Sequence, residues 1–177
     1  MALKSTILKA TIHLSDMDKN YYDTLNLTLA QHPSENEQRL MVRLIAFILN
    51  AHQDLKFGKG LSDEEEAAIW QVDYAEQIAL WVELGQIDPK RLKKASHRAD
   101  QVKLYCYGSS TDIWWQQNQK EIANYNNVSV EQFPFEQSQA LAELASKSME
   151  FQVSIQDGQF WLSAGEQTLL IELVKLQ

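Results

Sequence analysis

Ile78-Ala79-Leu80-Trp81-Val82-Glu83-Leu84-Gly85 is the stretch on which the fold turns. The run is too short for an ordinary helix, and Leu80-Trp81-Val82 lacks polar alternation, which suits a strand covered on both faces. Asp88-Pro89 follows at once, an N-cap acid with proline at the first helical position, where its missing N–H costs nothing. The helix they open carries Lys90, Arg91, Lys93, Lys94, His97 and Arg98 and no acid. Val102-Lys103-Leu104-Tyr105-Cys106-Tyr107, closed by Gly108, reads as a second buried strand. Strand, helix and strand in this order predict a parallel crossover, because two parallel strands need a long connection between their ends.

Working outward, Ala67–Val72 is an apolar run that predicts a strand beside Ile78–Gly85. Upstream, Ser5–Leu14 and Tyr22–Leu29 alternate partially with period two and flank the turn-forming Ser15-Asp16-Met17-Asp18-Lys19-Asn20, so they predict an N-terminal hairpin. Ser34 and Glu37 have capping-box spacing ahead of Met41, Leu44, Ile45, Ile48 and Leu49, an apolar stripe at helical spacing. Downstream, the pattern predicts helices over Thr111–Asn124 and Phe135–Ser148 and a short strand near Val128. Three strands then fill Met149–Lys175, with Asp157-Gly158 as a hairpin turn. The expected fold is α/β (mixed α+β): a mixed sheet flanked by helices, an N-terminal hairpin and C-terminal antiparallel strands, all in one domain over residues 1–177.

Composition sets the limits of function. Hydrophobic residues at 45% and charged residues at 23%, with only six Gly and three Pro, describe a folded chain without a long linker. The single cysteine, Cys106, excludes an internal disulfide framework and reads as a small buried thiol. Met1-Ala2-Leu3-Lys4-Ser5-Thr6 passes straight into alternating residues, with no leader-like apolar core. No stretch approaches the roughly 18 apolar residues of a membrane span, so a cytoplasmic protein with no membrane partner is expected. A net charge of −8 repels polyanions at long range, and the basic helix is a local exception. Asp63-Glu64-Glu65-Glu66 reads as a solvated loop, and the five Trp as core.

Three acids stand out as a set. Glu35 sits in the first turn of the long helix, Asp73 closes one strand of the central pair, and Glu83 lies within the next, among Trp81, Val82 and Leu84. A carboxylate in such a run faces solvent, pairs with a cation or binds a metal; Arg91 and Lys94 are the candidate cations. The order of elements, with an acid on the helix and one on each of the two strands, resembles the PD-(D/E)XK nuclease core. That resemblance implies Asp73 and Glu83 as ligands of Mg²⁺, within roughly 4–6 Å of each other, and Glu35 as a third acid. A sharper resemblance runs through His32-Pro33-Ser34-Glu35, Arg39, Leu80-Trp81-Val82-Glu83-Leu84-Gly85, Arg91-Leu92-Lys93-Lys94-Ala95, Ile113-Trp114-Trp115-Gln116 and Ile155-Gln156-Asp157-Gly158. These segments look like the YaeQ family, a PD-(D/E)XK variant, which implies a role connected with transcription or nucleic-acid processing.

The departures from a working nuclease motif are specific. Acid, any residue, lysine is the required order, yet Glu83 is followed by Leu84 and Gly85. Period two sends Gln86 to the face opposite Glu83 unless a bulge intervenes. Lys94 is then the one candidate for a migrated catalytic ammonium, with Lys90, Arg91, Lys94 and Arg98 as phosphate contacts. Two readings follow: a Mg²⁺-dependent phosphodiesterase using Glu35, Asp73, Glu83 and Lys94, or a non-catalytic chain that binds nucleic acid or a protein partner. The missing lysine favours weak or absent cleavage, since one lost charge at a transition state typically costs ~10²–10³ in rate. Oligomeric state is left open by the sequence.

Overall fold

Two sheets and four helices make up the molecule, described here from a computed structural model over residues 4–177. Met1, Ala2 and Leu3, on which the reading of the N-terminus partly rests, lie outside the described residues. The chain divides into two compact units interleaved in sequence. The first takes the chain through Met41 together with Glu136–Glu172, and the second takes Val42–Phe135 and Leu173–Gln177.

The first unit is built on β1 (Thr6–Asp16) and β2 (Tyr21–Gln31), the expected hairpin, paired in unbroken antiparallel register. β8 (Ser148–Gln156), β9 (Gln159–Ala164) and β10 (Gln167–Ile171) complete a five-stranded sheet of order β10-β9-β8-β1-β2. Asp157 and Gly158, at φ 53° and 76°, form the β8–β9 turn, in the backbone region that an Asp-Gly pair tolerates. The N-terminal hairpin and C-terminal strands are therefore one sheet, joined by a parallel pairing of β1 with β8. One face is apolar and buried through Leu8, Ala10, Ile12 and Leu14 with Met149, Phe151 and Val153. α4 (Phe135–Ala142) ends six residues before the predicted Ser148. Leu144 and Ala145 donate to carbonyls only three residues back, and Lys9 N claims Lys147 O for the sheet.

α1 (Glu37–Leu49) contributes residues to both units and is buried along nearly its whole length. The expected Ser34–Glu37 capping box does not form. Asn36 Oδ1 accepts from Arg39 N at 2.8 Å, while Ser34 Oγ lies 2.6 Å from His32 Nδ1. Asparagine at the N-cap satisfies the same orphan amide, so the helix starts later than the serine suggests.

The second unit carries the six-stranded sheet β11-β7-β6-β5-β4-β3. Its strands are β3 (Leu55–Phe57), β4 (Ile69–Val72), β5 (Ile78–Leu84), β6 (Ala99–Cys106), β7 (Val128–Gln132) and β11 (Val174–Lys175). β5 and β6 are parallel, joined by α2 (Pro89–Arg98), and β6 and β7 are parallel, joined by α3 (Thr111–Ile122). Asp88 Oδ1 caps α2 by accepting from Lys90 N at 2.9 Å, with Pro89 at the first position. Side chains of Trp81, Val102, Leu104, Val128 and Val130 form one core layer with Leu92 and Ala95 of α2 and Ile122 of α3. On the opposite side of β6, buried Asn50 donates to Tyr105 Oη at 2.8 Å and accepts from Lys103 Nζ at 2.7 Å. Burial raises the Tyr105 phenol well above its ordinary range. Among the described residues no helix is long and apolar enough to cross a membrane.

Candidate functional site

Glu83 is placed by strand periodicity on the α2 side of β5, two residues from Trp81 and on the same face. Its side chain is 5% exposed, so its charge has to be matched from within the protein. Arg91 supplies the match: Nε donates to Glu83 Oε1 at 2.9 Å and Nη2 lies 2.7 Å from the same oxygen. Trp81 Nε1 donates to that oxygen too, at 2.7 Å. Two hydrogen bonds and an ion-pair contact on one oxygen make Glu83 the anchor of α2 on the sheet.

Arg91 reaches further. Its Nη1 donates to Glu64 O at 2.9 Å and its Nη2 to Glu66 O at 3.0 Å, so one guanidinium ties β5 to the 63–66 loop. Lys94 does not stand beside Glu83 as the migrated ammonium of a nuclease. Its Nζ lies 2.5 Å from Glu65 Oε1, and Arg98 Nη1 lies 3.4 Å from Glu65 Oε2. Arg98 also stacks over the Trp81 ring, 5.0 Å from its centroid. The hydrogen bond and charge of Lys94, with the nearby charge of Arg98, hold the Glu65 carboxyl below its usual range. The loop itself is tied at its base. Gly58 N donates to Ala68 O at 3.0 Å, and a Cβ on Gly58 would meet Ala67 O at 1.8 Å, so only glycine permits this approach. Lys59 pairs with Asp63 and Glu66.

The expected metal pair is not brought together. Asp73 Oδ1 accepts from Ala75 N and Gln77 N at 2.8 and 2.9 Å, closing the β4–β5 turn. Asp73 N bonds Gln77 O, and Glu83 lies six residues further along β5, roughly 20 Å at strand rise. That distance, with Glu83 Oε1 already committed to Arg91 and Trp81, does not fit a shared Mg²⁺. Glu35 belongs to the first unit, where Arg39 Nη1 pairs with Glu35 Oε2 and Glu35 O accepts from Gln31 Nε2 at 2.9 Å. It precedes α1 instead of lying in its first turn. Among the described residues no three His, Cys, Asp or Glu side chains group as a metal would require.

Gly85 explains why the motif lysine is missing. It sits at φ 86°, and its N–H donates to Tyr105 O at 2.7 Å as β5 ends. That backbone conformation favours glycine, so the position serves the turn. Cys106 Sγ lies 3.6 Å from Gly85 O, and burial pushes its thiol up to about 12, which leaves no thiolate nucleophile at neutral pH.

What remains open to solvent is the outer stripe of α2. Lys90, Lys93 and His97 are exposed, at spacings of three and four that share a face. A cleft of about 340 Å³ at the start of the helix is lined by Lys90, Arg91 and Lys94 with Glu64 and Asp88. Sequence reasoning missed the loop acids as partners of α2 and Trp81 as a donor to Glu83. The second was readable from their two-residue spacing; the first depends on loop closure at Gly58, which leaves no local pattern.

Residues 1–173 match the family described as YaeQ protein. The YaeQ protein of Salmonella typhi is 43% identical over 178 aligned positions, covering 100% of this chain and 98% of the relative. That of Escherichia coli K12 is 41% identical with the same coverage. The crystal structure of YaeQ from Xanthomonas axonopodis pv. citri matches with TM-score 0.94 at 38% identity, covering 98% of each chain. The YaeQ structure from Pseudomonas syringae gives 0.94 at 32%, covering 98% of this chain and 96% of the other. On sequence and on fold, this chain belongs to the YaeQ family.

Proposed function

We propose that this protein binds nucleic acid through α2 without cutting it, on a nuclease-like core that has given up its metal chemistry. The observation that carries the reading is the cleft at the first turns of α2, where Lys90, Arg91 and Lys94 converge beside the exposed Lys93 and His97. Phosphate oxygens suit such a surface, because ammonium and guanidinium groups make charge-assisted hydrogen bonds to them. The commitment of Glu83 to Arg91 and of Asp73 to a turn argues against a phosphodiesterase. A cytoplasmic setting agrees with this reading, since the lone thiol is buried and needs no oxidising compartment.

Affinity is bounded by the overall charge of −8 and by the few cations on offer. Binding of single- and double-stranded oligonucleotides should weaken with salt along a log–log slope of about −0.9 per phosphate neutralised. Lys90→Ala and Lys93→Ala should each lower that slope by about 1 without altering sequence preference. Incubation in Mg²⁺ and in Mn²⁺ should leave substrates intact. Robust cleavage abolished by both Glu83→Ala and Lys94→Ala would refute the reading and restore the enzyme. Absence of any salt-sensitive binding would direct the search to a protein partner.

A further inference from the structure

The first unit leaves a long strand unpaired on one side. β2 has eleven residues and is the outermost strand of its sheet, bonded only to β1. The other sheet edges are short: five residues in β10, three in β3 and two in β11. Proteins protect long edges with lysine, proline, bulges or brevity, since exposed N–H and C=O groups template pairing with another chain. β2, Tyr-Tyr-Asp-Thr-Leu-Asn-Leu-Thr-Leu-Ala-Gln, has no Lys, Arg or Pro and no register shift.

The direction of its backbone groups follows from its neighbours. Lys9 N donates to Lys147 O and Met17 N to Ile155 O, so odd-numbered residues of β1 face β8. Even-numbered ones face β2, where they pair with Asp23, Leu25, Leu27 and Leu29. By antiparallel alternation, Tyr22, Thr24, Asn26 and Thr28 turn their amides and carbonyls outward. Among the described residues these four have no backbone partner there; Thr24 N is met only by the side chain of Asp23, at 2.8 Å.

The sequence on this edge is its own mirror. Thr24-Leu25-Asn26-Leu27-Thr28 reads the same in both directions. We propose that β2 is a homodimerisation edge, which pairs antiparallel with β2 of a second copy about a two-fold axis at Asn26 and joins two five-stranded sheets into one. In that register Asn26 faces the partner's Asn26 and Thr24 faces the partner's Thr28, so outward-bonding residues meet outward-bonding residues. Leu25 faces the partner's Leu27 on the same side of the sheet, giving two half-buried leucines an apolar neighbour. Asp23, the only charge on the strand, faces the partner's Leu29, so no like charges are opposed. An isologous two-fold contact requires this kind of self-complementarity.

Cross-linking of the full chain tests both the contact and its register. Opposed Cα atoms in a hydrogen-bonded antiparallel pair lie ~5.5 Å apart, within the ~4.4–6.8 Å of a disulfide. Asn26→Cys should form covalent dimers under mild oxidation. Thr24→Cys and Thr28→Cys should each fail alone, being offset by about 13 Å, yet link when mixed. Wild type should not cross-link, because Cys106 is buried. In sedimentation, wild type should run as a dimer. Asn26→Pro, which removes the outward N–H and the exposed hydrogen bond from Thr11 Oγ1 to Asn26 Oδ1, should run as a folded monomer whose melt, unlike that of wild type, does not rise with protein concentration. A wild-type protein that stays monomeric at all concentrations would overturn the proposal, as would a dimer unaffected by Asn26→Pro, or Thr24→Cys linking alone as readily as Asn26→Cys.

Discussion

Glu83 and Glu65 both meet cations of α2, yet they do opposite things. Glu83 lies within β5 with its side chain 5% exposed and takes Arg91 at 2.7 Å. Glu65 lies on a loop with its side chain 70% exposed and takes Lys94 at 2.5 Å. The shorter contact belongs to the weaker pair. In water the attraction of two charges is screened and the side chains lose freedom to meet, so exposed pairs contribute little. Inside the protein the same attraction is larger, but it is balanced against the removal of two charges from water. Burial, and not distance, separates the pair that holds the helix from the pair that decorates it.

The sharpest way to break this comparison is to remove one partner of the buried pair. Glu83→Ala leaves Arg91 without its carboxylate and Trp81 without its acceptor, and should cost about 3–5 kcal/mol in a urea melt. Replacing the pair together, Glu83→Leu with Arg91→Met, should recover most of that loss, because no charge is then left buried. A single-variant cost below about 1 kcal/mol would mean that Glu83 is effectively solvated, and the contrast with Glu65 would vanish. Cys106, whose thiol burial pushes up to about 12, gives an independent readout. It should label only on unfolding, and faster in Glu83→Ala.

A middle-sized effect sits at Gly85, one turn of strand beyond Glu83. Gly85→Lys restores the spacing of the nuclease motif but places a side chain at φ 86°. The new Cβ would stand 3.6 Å from the Tyr107 ring, an ordinary contact, so the penalty is conformational, about 1–2 kcal/mol. Cleavage should not appear, since Asp73 stays in its turn. A Gly85→Lys protein as stable as wild type would show that the turn tolerates lysine and that strain does not explain its loss.

The sequence exposes these elements unevenly. Asp88-Pro89 marks the start of α2, and the unbroken apolar run marks β5, because both signals are local and strong. The β1–β8 pairing joins residues far apart in sequence, and no local pattern announces it. β3, at three residues, is below the length at which alternation can be recognised. Asp73 reads as a strand ligand from its immediate neighbours. The turn at Asp73–Gln77 was the missing information, and it moves the carboxylate to the far end of the hairpin. Of the loop acids that read as solvated, Glu64 and Glu65 are exposed while Asp63 and Glu66 are half-buried, and exposure does not prevent Glu65 from meeting two cations.

The smallest expected effect is the most informative about α2. Glu65→Gln removes a charge from an exposed pair, so the melting curve at neutral pH should not shift resolvably. The pH dependence should move in a definite direction. The hydrogen bond and charge of Lys94, with the charge of Arg98, hold the Glu65 carboxyl below its ordinary range. A depressed carboxylate contributes stability that is present above the unfolded pKa and is lost as pH falls through the folded one. The small advantage of wild type over Glu65→Gln should therefore be present above about pH 4.5, close along the acid limb, and vanish under high salt. On oligonucleotide binding the same substitution should act the other way, because Lys94 and Arg98 lose their competing anion. Affinity should rise and the salt slope steepen, by up to about 1 for each cation released to a phosphate. If Glu65→Gln leaves binding and its salt dependence unchanged while Lys90→Ala reduces both, α2 meets its ligand at its first turn alone. The loop pair is then surface decoration and nothing more.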